Sequence, residues 1–500
     1  MAPDRHQQRE DAHAADRAEV PCHGDLVGIP GDDGRLAYGH RAGAGGLHAH
    51  GKGVRAVDNA DRAQIVAKSE PTWVRLDSWK NILPGGSGMK RMVTFFAALL
   101  ALSIAVAPAM AQTKLKVWYA ISGDSGEAFK ALLEKFDAAN DDITLEYSYS
   151  GNYGDTATKV SAALISNTAP DVALMAAGPL YTGARGDYFI EQKIQEADFN
   201  KDDIYPGVWD YAKFNGRVCA VPYGISTPVM YYNKAILEKA GISMKDPPKT
   251  WAEFAKVAKE AQAKGNINNS ADFWGFDVTD VGWLFKTMLN QNGNGVIQVK
   301  GNKIAPAFDD AKAIEVATFW EKLTADKVMA VGQHSNAEKK FLAGNLAFLV
   351  ATSARVARWS ADPKLTIGAI PMPYFQKPSV ALGGNVLIIL SKDQKLKEAS
   401  WKLVKYLANN QTEFALKTGY LPIRKSGLKI PAALAAVEKN QMFSVAFDQL
   451  ENSWSYWHFD QMGTMDQILA QAIDQFERRV ATPKAALEKA AADLQAEIDD

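Results

Sequence analysis

The sequence is 500 residues long, with 56 basic and 57 acidic side chains and a formal charge of −1. Such a balance excludes the basic footprint of a nucleic-acid binder, and the length calls for more than one domain. Of the two cysteines, Cys22 and Cys219, only Cys219 follows residue 111, so a disulfide within that later portion is excluded.

Residues 1–88 differ in kind from the rest. They hold six of the eight histidines, none of the 21 phenylalanines, and 8 arginines against 3 lysines. A stretch with so little apolar surface cannot offset its ordering entropy, and it reads as translated leader foreign to the working protein. A histidine-rich metal-binding tail is the weaker alternative, because the histidines are irregularly spaced. Met89-Lys90-Arg91-Met92 then forms a short basic start, Val93 to Ala107 an apolar run, and Ala109-Met110-Ala111 an A-x-A exit. That order is the pattern of a secretory signal peptide, and the run is short of the roughly 20 residues a membrane span needs. An internal signal anchor is the other reading of 89–111, against which the A-x-A exit argues. The expected working protein is therefore residues 112–500, exported to the periplasm.

From there the chain alternates strand and helix. Lys114–Tyr119 reads as a strand and Gly126–Asn140 as a helix, with Phe129, Leu132, Leu133 and Phe136 on one face. Ile143–Tyr149, Asp155–Ser166 and Asp171–Met175 read as strand, helix and strand, the pattern of a parallel sheet with crossover helices. Ligands bind beyond the carboxyl ends of such strands, which marks the loops after Tyr119, Tyr149 and Met175. Val218–Tyr223 and Val229–Tyr232 are predicted strands bracketing a loop at Gly224–Pro228. Cys219, in that apolar run, is expected to be a buried thiol. Thr250 with Glu253 forms a capping box for a helix running to Lys264. Further helices are predicted at Lys234–Ala240, Ala311–Ala325, Ala337–Leu342 and Lys395–Ala408, a strand at Val386–Leu390, and a last helix opened by Thr482-Pro483.

The chemistry of an enzyme is thin. Only His334 and His458 follow the signal, without H-E-x-x-H, zinc spacing, G-x-S-x-G or a P-loop. Asn292-Gly293-Asn294-Gly295 is a turn rather than a phosphate cradle. No catalytic residue, metal or cofactor is expected. A glycosidase using paired carboxylates needs no fixed spacing and is the alternative from another class.

Several segments together resemble the extracellular solute-binding proteins of bacterial ABC importers, and within them the sn-glycerol-3-phosphate-binding branch. They are Ser150-Gly151-Asn152-Tyr153, Asn167-Thr168-Ala169-Pro170-Asp171-Val172, Ser226-Thr227-Pro228-Val229-Met230-Tyr231-Tyr232-Asn233-Lys234, Pro247-Pro248-Lys249-Thr250-Trp251, Leu382-Gly383-Gly384 and Lys417-Thr418-Gly419-Tyr420-Leu421-Pro422. The resemblance implies an α/β, two-lobed periplasmic-binding-protein fold with hinge strands between the lobes. Lobe one would hold residues 112–225 and 382–428, and lobe two 228–378 and 430–500. Ligand would be clamped by lobe closure and delivered to membrane permease subunits.

By the same resemblance, Tyr153, Ser226, Gly384 (or Gly383) and Tyr420 contact ligand, as does a hydroxyl at Thr352 or Ser353, of which Ser353 is taken here. Two departures stand out. Ala177 replaces a glutamate, and Gln461 or a neighbour replaces a ligand-binding arginine, with no arginine between Arg424 and Arg478. A phosphate dianion needs an arginine fork, a lysine or a helix N-terminus, so Arg355 or Arg424 would have to substitute. The run Trp454-Ser455-Tyr456-Trp457-His458-Phe459 suits either stacking on a sugar ring, with Trp457 as the wall, or core packing. Trp118 and Trp283 are further candidate walls. The expected ligand is a sugar, a polyol or a glycerol 3-phosphate-like solute. A ligand-sensing partner of a membrane receptor would use the same fold.

Overall fold

Two larger sheets, of five and four strands, organise the described residues beside three two-stranded ones. The computed structural model describes residues 112–177, 188–301 and 303–499. The leader and signal peptide read at 1–88 and 89–111 lie outside the described residues. The first strand, β1 (Thr113–Tyr119), buries Leu115 and Val117 and turns Lys114 and Lys116 outward. The following helix α1 (Gly123–Ala138) lays Phe129, Leu132, Leu133 and Phe136 on the sheet. Strand β2 (Ile143–Tyr149) pairs parallel with β1.

Helix α2 spans Tyr153–Ile165, starting two residues earlier than the apolar spacing suggested. The reason is a second capping box: Asp155 N–H donates to the Asn152 side chain at 3.0 Å, and Asn152 N–H donates to the Asp155 carboxylate at 3.2 Å. Strand β3 (Val172–Met175), helix α3 (Pro206–Tyr211) and strand β4 (Val221–Ser226) follow. The chain then crosses into β5 (Pro228–Asn233), α4 (Trp251–Lys264), β6 (Trp274–Val278), α5 (Val281–Gln291) and α6 (Ala311–Ala325). Strands β7 (Leu346–Thr352) and β8 (Ile367–Ile370) complete the second sheet. The chain returns through β9 (Gly383–Ile389), α7 (Gln394–Asn409) and α8 (Gln411–Thr418), and ends in α9 (Met462–Glu477) and α10 (Pro483–Asp499).

The first sheet has the order β2-β1-β3-β9-β4 and the second β8-β5-β7-β6. Strand β9 is antiparallel to both β3 and β4, and its pairing with β4 shifts at a bulge between Gly384 and Val386. That pairing corrects one sequence expectation. Residues 224–226 are strand rather than loop, because Gly383 and Gly384 pair with Ser226 and Ile225, leaving Thr227 alone between β4 and β5.

Both faces of the second sheet are covered. Val229, Tyr231, Leu349 and Ala351 point into a core shared with the first sheet, while Met230, Phe348 and Val350 point into a second core with α4, α6, α9 and α10. The period-2 alternation of strands produces this split. The first core also takes Met442, Phe443, Val445, Ala446, Phe447 and Leu450.

A buried charge cluster fastens β6 to the end of α9. His334 Nδ1 lies 2.5 Å from Asp277 Oδ1, and its Nε2 lies 3.0 Å from Glu477 Oε1. Trp320 Nε1 donates to the same Glu477 oxygen at 2.7 Å. Burial pulls the His334 pKa down, but hydrogen bonds to Asp277 and Glu477 outweigh it and lift it from 6.5 to about 9. A folded-state pKa above the unfolded one stabilises fully below pH 6.5 and loses that contribution as pH climbs through 9, about 3 kcal/mol in all. His458 has the opposite sign: burial lowers it to about 4, so its contribution is whole above pH 6.5 and is lost as pH falls toward 4. Urea titrations across pH are expected to show maximal stability near pH 6.5. His334→Gln should flatten the alkaline limb; an unchanged limb would show that the cluster does not govern it.

Candidate ligand-binding cleft

The ends of both sheets open onto one cleft of about 810 Å³. On one side it is lined by Ala120–Ser122 after β1, Asn152 and Tyr153 at the start of α2, Ala176 and Ala177 after β3, and Ser226 at the end of β4. Tyr211, Gly383, Gly384 and Tyr420 complete that side. Opposite lie Asp280–Trp283 and Lys286 at the start of α5, Thr352, Ala354 and Arg355 after β7, Tyr456, and Met462, Asp466 and Ala470 along one face of α9. The i, i+4, i+8 spacing of the last three is one helical stripe. The three loops marked from the parallel-strand pattern all reach the cleft, as expected of carboxyl strand ends.

A phenol network organises the first side. Tyr153 and Tyr420 hydroxyls lie 3.3 Å apart, and Asn385 Nδ2 donates to the Tyr153 oxygen at 3.0 Å. The other end of the Asn385 amide accepts Gly224 N–H at 2.9 Å, which locks its orientation. Tyr211 donates its hydroxyl to Gly384 C=O at 3.0 Å. Burial raises the pKa of Tyr153 and Tyr420, so both remain neutral donors and acceptors.

On the second side, Asp280 caps α5 by accepting Trp283 N–H at 2.9 Å. Trp283 donates from Nε1 to Ala381 C=O at 3.2 Å. Its ring lies so close to Gly383 that a Cβ there would approach Cζ2 to 2.9 Å. Lys286 pairs with Asp466 at 2.6 Å across α5 and α9, with its ammonium 4.3 Å from the centre of the Tyr456 ring.

Of the residues singled out in the sequence, Tyr153, Ser226, Gly384, Tyr420, Trp283 and Arg355 line the cleft together. The rest lie elsewhere. Ser353 is fully buried, its Oγ accepting Thr227 N–H at 3.3 Å, and the neighbouring Thr352 takes the cleft position. Arg424 is turned into the interior, where its guanidinium donates to Phe199 C=O, Asn200 C=O and Asn409 at 2.7–3.0 Å. Trp118 packs against the first core from β1. Trp457 stands in a separate hollow with Asp210, Lys213 and Gly216. The aromatic run divides by position: Tyr456 faces the cleft, His458 is buried, and Phe459 belongs to the second core. Cys219 is buried, as expected.

Sequence reasoning missed Lys286, Asp466, Asp280, Tyr211 and Asn385. The Asp280 cap was legible, since an Asp three residues before an apolar periodic run is a helix start. The Lys286–Asp466 pair, 180 residues apart, left no local signal.

A cleft between two α/β lobes, at the strand ends and walled by phenols, hydroxyls and one indole, is the build of a solute receptor. Residues 131–442 match the bacterial extracellular solute-binding protein family, and the chain belongs to that family. Among its relatives is the sn-glycerol-3-phosphate-binding periplasmic protein UgpB of Escherichia coli (strain K12), 28% identical over 391 residues, covering 72% of this chain and 85% of the relative. Among solved structures, UgpB from Mycobacterium tuberculosis in complex with glycerophosphocholine is 24% identical with a TM-score of 0.67, covering 78% of this chain and 99% of that one. The cyclic alpha-maltosyl-1,6-maltose binding protein from Arthrobacter globiformis is 22% identical with a TM-score of 0.68, at the same coverage of 78% and 99%. These structures share the two-lobed fold, and the chain is an extracellular solute-binding protein.

Proposed function

We propose that this protein is the periplasmic receptor of an ABC importer, exported by the signal peptide at 89–111, and that it captures a small polyhydroxylated solute by lobe closure. The ligand is a sugar, a polyol or a glycerol phosphate, and the loaded form is presented to permease subunits in the inner membrane. The lobes are residues 112–225 with 382–428, and 228–378 with 430–500. Tyr153, Ser226, Gly384, Tyr420 and Trp283 form the contacts, with Thr352 in place of Ser353. The observation that carries this reading is the convergence of those residues, from both sheets, on one cleft with the phenol network at its base. Hydrogen-bonding groups set among aromatic walls fix the orientation of small polar ligands, and a ligand favours the closed state only through better contacts there.

The reading also has the chain bind its solute without chemical turnover. The relatives named glycerol-3-phosphate-binding and maltosyl-maltose binding support the ligand class. The test is thermal stability of the purified protein against glycerol 3-phosphate, glycerophosphodiesters, mono- and disaccharides, and polyols. A ligand at about 100 times its dissociation constant adds roughly 2.7 kcal/mol. Recovery of the ligand unchanged is expected, and the shift should shrink in Tyr153→Ala, Ser226→Ala and Tyr420→Ala. Wild-type affinity in all three would sink the site, and product release would replace a receptor with an enzyme.

A further inference from the structure

Among the described residues, the cations of the cleft are already matched. Lys286 is 3% exposed, and its Nζ lies 2.6 Å from Asp466 Oδ1. Arg355 donates from Nε and Nη2 to Glu338 Oε2 at 3.1 and 3.0 Å. Among the described residues, the charged groups lining the cleft are Lys286 and Arg355 against Asp280 and Asp466, two of each sign, with Glu338 behind Arg355. A buried amine without a partner tends to shed its proton. Burial does pull Lys286 that way, but Tyr456, Asp466 and Asp280 outweigh it and hold the ammonium above its ordinary pKa.

Resting on the reading of this cleft as the solute site, we propose that Asp466 is its specificity-determining residue: by occupying Lys286 it turns a ready phosphate site into one for uncharged hydroxylated solutes. A phosphate dianion could use Lys286 only by displacing Asp466 from a short charge-assisted bond. It would then lie beside both the released carboxylate and Asp280, and like charges brought together in a partly dry site repel strongly. A hydroxyl meets no such penalty. Asp466, with 44% of its side chain exposed, accepts from it, and so does Asp280 at the mouth of α5. The region between Arg424 and Arg478 holds no arginine that could supply a second cation.

The test is calorimetric titration of the full chain with glycerol 3-phosphate and with inorganic phosphate. Wild type is compared with Asp466→Asn, Asp466→Ser and Asp466→Asn/Lys286→Met. Wild type should bind neither probe at millimolar concentration. Both Asp466 variants should gain glycerol 3-phosphate affinity by roughly tenfold or more, and the double variant should lose that gain. Tight binding of glycerol 3-phosphate by wild type overturns the proposal whatever the variants do. So does absence of a gain in an Asp466 variant that melts cooperatively. Failure of the receptor reading is a separate result: no neutral sugar or polyol would shift the melting of wild type, and the Tyr153 and Tyr420 variants would change nothing.

Discussion

Gly384→Ala is expected to destabilise the protein by about 3 kcal/mol or more, and to do so without removing a single side-chain contact. The backbone of Gly384 has φ +119°, a conformation that L side chains rarely adopt, and an added Cβ would come within 1.8 Å of Gly224 C=O. The clash falls at the bulge where β9 meets β4, beside the point where the chain crosses between the sheets. Strand β4 cannot retreat, because Gly224 N–H is held by Asn385 and a Cβ on Gly224 would itself strike that amide at 2.5 Å. Chemical denaturation should show the loss, or the variant should fail to accumulate folded. Gly463→Ala in α9 is the control. A Cβ there meets nothing within 4 Å, so the change should stabilise slightly through helix propensity. Equal stability of Gly384→Ala and wild type would mean that the two strands do not pair as described.

Trp283→Ala is the largest expected loss on the binding side. Its indole is the one large ring on the α5 wall of the cleft, and it is preset by a cap from Asp280 and a hydrogen bond to Ala381. Removing it opens the wall, frees the Ala381 carbonyl and costs binding about 2 kcal/mol or more, roughly 30-fold. The solute giving the largest thermal shift in the panel is the probe. Trp283→Phe should restore most of the affinity if the ring face is what matters. If both variants lose affinity equally, the indole acts by positioning Ala381 and the crossing strand. Unchanged affinity in Trp283→Ala would remove the residue from the site.

Much of this was legible from local pattern. Alternation in β1 and β2, the spacing of apolar residues in α1 and the Thr250–Glu253 capping box each express a rule that acts within a few residues. Tyr153, Ser226, Gly384 and Tyr420 stand at a helix start, at strand ends or in a loop, carried by recognisable segments, and they meet in one cleft. The failures come from direction rather than position. Ser353 and Thr352 are neighbours on a strand end, and one step along it exchanges interior for cleft. Arg424 follows the Tyr420 segment closely, but its guanidinium serves backbone carbonyls at Phe199 and Asn200. Trp118 leads toward a cleft loop while its own ring is spent on the core. Lys286 was invisible for the opposite reason. A lysine in an apolar helix looks like a solvated residue until a partner from another helix is brought beside it.

The lone thiol has a practical meaning. Cys219 is the only cysteine among the described residues and is 4% exposed. A thiol so shielded reacts only when the chain around it opens. Once Cys22 is replaced by serine, the protein becomes a nearly blank canvas for thiol labelling. Dyes attached to cysteines introduced on either side of the cleft would then read the distance between the two walls, and slow modification of Cys219 itself would time unfolding in the same sample.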